Sequence, residues 1–500
     1  MTTPIPDARG SIQTDVVIAG GGLAGLTAAV GLCRAGLRVV VVEQDGTLGG
    51  RAASVRDRVT GDSIPIGPHI FASEYPNMLA LLDLLGTRDR IVWHDVLVTM
   101  VEGRQRSVMR VAPLPAPFHF VPSLIADPHL RNRDWLSNAP VTLFALSLDE
   151  EAIRRLDDVP AIPLLRRAGV TQRYLDRFWR FASLSIMNVP LELCSAGALL
   201  RFYRRLVGKG RYRLGFPDEG LAELFAPGCQ RVIDEHGGRV LTGTPVTRVV
   251  ADGSRARGVE LANGQRIDAR FTIAALTPHA LRRILPADWV KGHKGFADLD
   301  RSQPSPYLSV FLWFDRKLTQ ERFWAQLHRP DALNCDFYDL SNIYRGWAGR
   351  PSVIASNIIY AGHAWHLPDE EVVARTVAEL ATYLPEAAHA TITHAIVHRI
   401  PMAVPCPFVG AERLRLDNVT PFAGLVLAGD WLKTGLPPCM ESACFSGWRA
   451  AEAVLAAEGR PATLARRHTE LGPVAWLLGK ATRMMFKTRF DALIARYTNR

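Results

Sequence analysis

Three glycines in one short stretch are spaced for phosphate chemistry. Gly20, Gly22 and Gly25 stand in the order G-x-G-x-x-G, and an acid, Glu43, follows the last of them by 18 residues. Gly20 suits a tight turn. Gly22 lets the main chain approach a pyrophosphate, and Gly25 lets a helix press close to the strand before it. Leu23 and Ala24 open that helix, so its N-terminal N–H groups and positive dipole end face the phosphates. A carboxylate at Glu43 can accept hydrogen bonds from a ribose. Together these residues describe a dinucleotide site. His69 is a candidate proton acceptor, the alternative being a satisfied structural histidine. No Ser-His-Asp set and no metal-ligand spacing stands out, so no metal is expected and the chemistry falls to a cofactor.

Those residues need a strand, a helix and a second strand to hold them. Thr14 to Ala19 is a β-branched run that reads as a buried strand. Leu23 to Ala35 has helical character and stops at Gly36, and Leu37 to Glu43 is a second buried strand ending in the acid. Farther on, Leu221 to His236 reads as a helix broken at Pro227-Gly228. Arg239 to Val250 reads as one strand with Val246 near its end. Arg257 to Leu261, the turn Asn263-Gly264 and Gln265 to Asp268 make a hairpin, and Phe271 to Leu276 reads as a further buried strand. Gly424 to Gly429-Asp430 is an apolar strand ending in Gly-Asp, and Glu441 to Ala456 is helical.

The chain has 500 residues, too many for one core, so two or more domains are expected. Hydrophobic residues make up 48% and charged residues 22%, as in a well-folded globular protein. The formal net charge of +10 favours anionic partners. No basic arm or nucleic-acid motif appears, so cofactor phosphates and a membrane surface are expected rather than nucleic acid. The seven cysteines are scattered without a CxxC, which speaks against a disulfide framework or zinc. The opening decapeptide MTTPIPDARG lacks a signal-peptide pattern, and a reducing cytoplasm is expected. The uncharged stretch from Val16 to Cys33 contains too many glycines in a phosphate-binding pattern to read as a membrane span.

Leu48-Gly-Gly50-Arg51-Ala-Ala-Ser54 resembles the GGR/GGK segment of the amine-oxidase and carotenoid-desaturase superfamily of flavoproteins. The resemblance implies FAD and a Rossmann-like α/β FAD-binding domain with a β-meander and an inserted α+β substrate domain. It sets Gly50 and Arg51 beside the cofactor phosphates and flavin, and the Val246 backbone at the adenine end. It sets Gly429 and Asp430 at the ribityl and phosphate region, and the backbone around Met440 and Glu441 at the isoalloxazine. Ile66-Gly-Pro68-His69-Ile-Phe71-Ala-Ser-Glu-Tyr75-Pro-Asn77 looks like the GLHIFFGAYPN segment of plant and cyanobacterial phytoene and ζ-carotene desaturases, which brings Pro68 and His69 to the cofactor. Phe311 to Leu318 looks like their HIWFDRKL strand, and Ala198-Leu-Leu-Arg201-Phe202 like their ALNRF helix. By this likeness Arg201 is a candidate catalytic residue that places a quinone acceptor or stabilises charge.

The likeness spans about residues 14 to 457 and implies desaturation of a polyisoprenoid hydrocarbon, with hydride passing to flavin, a proton lost from the neighbouring carbon, and quinone or oxygen as the electron acceptor. There are departures. Arg51 replaces the lysine common in plant-type desaturases. Gly435-Leu-Pro-Pro-Cys-Met-Glu-Ser-Ala443 is closer to the GLPATIEGA segment of hydroxysqualene dehydroxylase, and Pro113 to His119 leans the same way, although the DNGQH segment of that enzyme is missing. Hydroxysqualene dehydroxylation and amine oxidation on the same fold stay open as alternatives. A non-catalytic prenyl-binding relative, like the Rab GDP-dissociation inhibitors, is disfavoured by the intact Glu43, Arg51 and Asp430.

The implied organisation is a discontinuous FAD domain (1–75, 221–287 and 416–460), a substrate and membrane-facing domain (76–220 and 288–415) and a tail (461–500). The tail holds eight Lys/Arg against Glu470 and Asp491, interleaved with Val474, Trp476, Leu477, Leu478, Met484, Met485, Phe486 and Phe490. It reads as a basic amphipathic helix begun by Pro473, too short and too charged to span a bilayer. Either it contacts an anionic membrane, giving a cytoplasmic protein held peripherally at the inner membrane, or it packs on the protein itself.

Overall fold

The computed structural model describes residues 11–498 apart from 103–104, 328 and 469–470, with backbone alone for 486–498. The opening decapeptide, Glu470 and Arg500 lie outside the described residues, as do the side chains of Phe486, Phe490 and Asp491. The first β-branched run forms β1 (Ile12–Ala19), followed by α1 (Leu23–Arg34) and β2 (Val39–Val42). Next come α2 (Pro76–Leu85), β3 (Val96–Glu102), β4 (Gln105–Arg110), α3 (Ala139–Ser147) and α4 (Ala196–Gly208). Then α5 (Ala226–Glu235) leads into β5 (Arg239–Leu241), β6 (Val246–Asp252), β7 (Arg255–Leu261) and β8 (Arg266–Ala274). A second group of strands follows: β9 (Pro304–Phe314), β10 (Phe323–Gln326), β11 (Asp336–Asp339), β12 (Val353–Ile359) and β13 (Ile392–Pro405). The chain closes with β14 (Leu425–Leu427), α6 (Met440–Ala457) and α7 (Pro473–Thr498).

The first sheet runs β5-β2-β1-β8-β7-β6, with β14 also paired to β8. Its centre is parallel: Val16 sits beside Val39 on one side and Phe271 on the other. Parallel strands covered on both faces must be apolar throughout, which is why β2 is four consecutive valines, all buried. β8 divides its outer edge. Its first half pairs antiparallel with β7, and Thr272 to Ala274 pair parallel with Leu425 to Leu427 of β14. The chain thus returns to this sheet after more than a hundred residues spent elsewhere. Helix α1 is buried along nearly its whole length and packs between the sheet, α5 and α6.

The second sheet runs β13-β9-β12-β11-β10-β3-β4 and is antiparallel except where β10 meets β3. One face packs Leu308, Val310, Trp324 and Phe337 under the helix at Asp369–Ala381. The other face, with Phe311, Trp313, Phe323 and Tyr338, turns toward the loop around Gly67.

Three expectations change. The stretch 221–236 breaks earlier than Pro227: a 3-10 turn covers Leu221–Leu224, Phe225 leaves the helical path, and α5 restarts at Ala226. Proline in a first turn has no hydrogen bond to lose, so Pro227 starts this helix and does not break it. The stretch 239–250 is two strands, parted by a left-handed Gly243 (φ 66°), and Val246 begins β6. The stretches 265–268 and 271–276, expected as two strands, are in contrast joined in one, β8 (Arg266–Ala274). In the tail, α7 packs its first half on α3. Ala475 and Thr482 are buried, and a Cβ on Gly479 would lie 2.4 Å from the Leu146 carbonyl oxygen. Trp476, Leu477, Met484 and Met485 nevertheless stay exposed, and Arg483 pairs with Asp149 at 2.5 Å.

Candidate flavin site

The glycine turn is built by close approach. Gly20 is left-handed (φ 109°), and a Cβ there would lie 2.4 Å from the Ala275 carbonyl oxygen. A Cβ on Gly25 would lie 2.0 Å from the Gly20 carbonyl oxygen, so helix and turn touch with nothing between them. Gly22 differs. It is the N-cap of α1, no side chain caps the helix, and no acid stands in the first turn. A Cβ on Gly22 would come no nearer than 3.9 Å to anything, namely the Gly50 Cα. Uncapped N–H groups beside a space that no side chain fills are what a diphosphate requires.

Glu43 is buried at the end of β2. One carboxylate oxygen accepts the Gly21 N–H at 2.7 Å and the other the Asp45 N–H at 3.0 Å. The Gly49 N–H donates to the Gly21 carbonyl at 3.0 Å, and the 3-10 turn Gly50–Ala52 then presents Arg51. Arg51 grips Asp430 with both terminal nitrogens, at 3.0 and 2.6 Å, and its Nη1 also donates to the Ala403 carbonyl at 3.1 Å. One guanidinium therefore ties the N-terminal motif, the C-terminal Gly-Asp and a strand of the second sheet. A bidentate arginine–carboxylate pair fixes geometry as well as charge.

The C-terminal segment is ordered by small polar groups. The Gly429 N–H donates to Ser446 Oγ at 2.8 Å, and the Asp430 carbonyl accepts from Ser442 Oγ at 2.9 Å and Arg415 Nη2 at 3.2 Å. Met440 begins α6 and is buried, with no side-chain cap at Cys439. Val246 starts β6, half-buried and paired with Leu261. Pro68 accepts a long hydrogen bond from Asn357 Nδ2 at 3.4 Å through its carbonyl. His69 holds Nδ1 2.7 Å from the Gly67 carbonyl. Burial and, secondarily, the nearby Arg51 charge push its pKa down, while the Gly67 bond opposes them.

Arg201 does not join this group directly. It is buried on α4, ion-paired with Glu412 and, at 3.3 Å, with Glu150. Glu412 also pairs with Arg415 at 3.3 Å, and Arg415 donates to the Asp430 and Leu436 carbonyls. The link from Arg201 to the flavin motif thus runs through two residues, Glu412 and Arg415, that no sequence pattern marked. Neighbouring strands of the second sheet also carry a polar row. Asn357, Ser309 and His398 are opposite one another on β12, β9 and β13, and Ser309 Oγ lies 2.8 Å from Asn357 Oδ1. Next to Asn357, Asp336 is fully buried. Period-two alternation hid this row, since each strand alone reads as core. Among the described residues no group of His, Cys, Asp and Glu could hold a metal ion.

A glycine-turned strand–helix–strand, a buried acid at the end of the second strand and a returning Gly-Asp strand with an inserted antiparallel sheet define a dinucleotide-binding flavoprotein of the oxidoreductase class. The sequence profile described as "Flavin containing amine oxidoreductase" matches residues 23–455, and the chain belongs to that family. It is an FAD-dependent oxidoreductase. It is 28% identical to the "15-cis-phytoene desaturase" of Synechococcus elongatus, over 88% of this chain and 96% of that one. It is 24% identical to the "Probable zeta-carotene desaturase" of the same organism, over 89% and 99%. Among solved structures, a putrescine oxidase bound to putrescine superposes with a TM-score of 0.68 at 18% identity, covering 89% of this chain and 100% of that one. Cyclohexylamine oxidase from Brevibacterium oxydans gives 0.63 at 19%, with 89% and 100% covered. These two likenesses establish the shared fold.

Proposed function

We propose that this protein desaturates a polyisoprenoid hydrocarbon of the phytoene and ζ-carotene class. The observation that carries this reading is the match to desaturases over nearly the full length of both chains, the inserted sheet included. In this reading residues 1–75, 221–287 and 416–460 hold FAD, and 76–220 with 288–415 receive the substrate. Bound FAD supplies a hydride acceptor. The N-terminus of α1 with Gly20, Gly22, Leu23, Ala24 and Gly25 takes the diphosphate, and Glu43 the ribose. Gly50, Arg51, Pro68, Val246, Gly429, Asp430 and the Met440 backbone complete the cradle. His69 is neutral, since burial and Arg51 both disfavour its cation. Its Nδ1–H points at the Gly67 carbonyl, leaving the lone pair on Nε2 to accept the proton that the substrate releases. Apolar burial supplies affinity for a substrate with no polar group.

Arg201 positions the electron acceptor, a quinone or oxygen, through the Glu412–Arg415 chain. The substrate is a membrane lipid, and the exposed apolar residues of α7 meet an anionic surface at the cytoplasmic face of the inner membrane. No helix among the described residues is long and apolar enough to cross a membrane.

The test is expression in cells loaded separately with phytoene, ζ-carotene and hydroxysqualene. A gain of conjugated double bonds on phytoene or ζ-carotene is expected. Conversion of hydroxysqualene alone, or hydrogen peroxide release with amines and no carotenoid product, would overturn the reading.

A further inference from the structure

The loop that carries His69 is held by little of its own main chain. The Ile66 N–H donates to the Ala53 carbonyl at 3.1 Å, and the chain is next paired at Phe71, opposite Gly215. Between them, among the described residues, no hydrogen bond joins the main chain of 67–70 to other backbone. The loop rests on the second sheet instead. Gly67 is buried, and a Cβ there would lie 2.8 Å from Ser309 Oγ on β9 and 3.3 Å from Asn357 Oδ1 on β12. A side chain does not fit at that distance, so the turn sits directly on the polar row. The Pro68 carbonyl accepts Asn357 Nδ2–H at 3.4 Å. His69 Nδ1 stands 2.7 Å from the Gly67 carbonyl, which can only accept, so in the neutral ring Nδ1 carries the hydrogen.

Ser309 and Asn357 are both buried, flanked along their strands by Tyr307 and Phe311 and by Ala355 and Ile359. On such a face two apolar side chains would pack without leaving polar atoms to satisfy. The pair does something that apolar side chains cannot. The Ser309 hydroxyl donates to Asn357 Oδ1 at 2.8 Å, which sets the amide the way round that turns Nδ2 to Pro68. The Asn357–Pro68 bond is long, so the hard contact under Gly67 places the loop and the amide orients it. We propose that Ser309 and Asn357 are positioning residues for His69: they seat the Gly67–Pro68 turn on the sheet, and the Gly67 carbonyl so fixed holds the ring in the tautomer that leaves a lone pair on Nε2. The charge that bears on His69 is the Arg51 guanidinium. The titratable side chains on the sheet face beneath are Asp336, Tyr338, Tyr307 and His398, with His394 paired to Asp57 at the start of β13. The positioning stands on this geometry alone, and only its consequence for turnover rests on the reading of His69 as proton acceptor.

The experiment uses the full chain saturated with FAD, its histidine rings labelled with nitrogen-15 and read by NMR. His69→Gln assigns the His69 signals. In the parent, Nδ1 carries the hydrogen and Nε2 does not. Asn357→Leu and Ser309→Ala each give a mixture of the two tautomers. The His69 titration midpoint falls by roughly half a pH unit or more, because the carbonyl that opposes the effect of burial is no longer held in place. Gly67→Ala does the same by driving the turn off Ser309 Oγ. Gly67→Ala combined with Ser309→Ala, which removes that oxygen, departs from the parent by less than the sum of the two single variants. Lost stability alone moves neither tautomer nor midpoint in the folded protein, and Ser309→Ala, which deletes one atom, keeps the test open should Asn357→Leu not fold. Turnover of phytoene and ζ-carotene is read beside the spectra, and the acid limb of kcat/KM shifts to lower pH with the His69 midpoint. A parent that converts neither carotene refutes the desaturase reading, and the nitrogen spectra still decide the positioning. Tautomer and midpoint unchanged in Asn357→Leu, Ser309→Ala and Gly67→Ala overturn it.

Discussion

Glu43 uses both carboxylate oxygens on backbone N–H groups, so it shapes the turn, and in the proposed reading it also takes the ribose. Glu43→Ala removes a charge-assisted hydrogen bond to ribose, about 1.5–3 kcal/mol, and frees Gly21 as well. FAD affinity should fall tens-fold or more in a folded protein, read by fluorescence titration. Full occupancy at low free FAD would show that Glu43 is no ligand. Asp336 makes a different kind of residue-scale statement. Burial pushes its carboxyl up to about 7, opposed by hydrogen bonds from Tyr338, the Asn357 backbone and Cys335. An unfolded aspartate titrates near 4, so between about pH 4 and 7 the folded chain holds a proton that the unfolded chain has lost. Stability therefore falls as pH rises through that window. Asp336→Asn is neutral throughout and should escape the loss, on the order of 2–4 kcal/mol between pH 4 and 8. Parallel pH curves for denaturant unfolding of the two proteins would contradict this.

At the scale of elements, α6 and α2 are joined by Glu441. Its side chain is fully buried and turns away from its own helix. It accepts the Asn77 N–H at 3.0 Å, the Met78 N–H at 2.9 Å, Asn77 Nδ2 at 2.7 Å and His468 Nε2 at 2.7 Å. The N-cap of α2, Tyr75, offers no side-chain cap, so a carboxylate more than 360 residues away satisfies its first N–H groups. Glu441→Ala would leave those donors buried and unpaired and should cost about 3–5 kcal/mol. Glu441→Gln, which keeps one acceptor, should cost less. If the alanine variant unfolds at the same denaturant concentration as the parent, the cap is not structural. The starts of α1 and α6, which also lack a side-chain cap, are those that the flavin reading assigns to the cofactor.

Across the whole molecule, Arg51 joins the two seven-stranded sheets: it pairs with Asp430 beyond β14 of the first and donates to the Ala403 carbonyl on β13 of the second. The tail helix is both a packed element and a candidate surface. Replacing Trp476 and Leu477 with glutamate should leave the contact of Ala475 and Gly479 with α3 intact, and with it thermal stability. It removes apolar area worth about 1.5–3 kcal/mol per side chain and adds negative charge. Binding to anionic vesicles at low salt should fall at least tens-fold. A variant that binds as tightly as the parent would move the membrane face to the inserted sheet.

The dinucleotide turn was legible because its demands are local. A positive φ at Gly20, a close contact at Gly25 and a β-branched run before them are each written within a few residues, as is the acid that ends β2. The returning Gly429-Asp430 was legible as a type of segment, and the hairpin at Asn263-Gly264 as a turn. Element boundaries suffered where one residue has two local meanings: Pro227 starts a helix as readily as it breaks one, and Gly243 parts what looks like a single strand. Partnership was not in the sequence at all. That Arg51 meets Asp430, that Glu441 caps α2, that Arg201 reaches the flavin motif through Glu412 and Arg415, and that Asn357, Ser309 and His398 form one row all depend on separations of tens to hundreds of residues. Local propensity and period say which face a side chain occupies. Only the closed tertiary fold decides which charge lies opposite it, because burial and pairing are set by distance in space, and the chain leaves and re-enters both sheets before that distance is known.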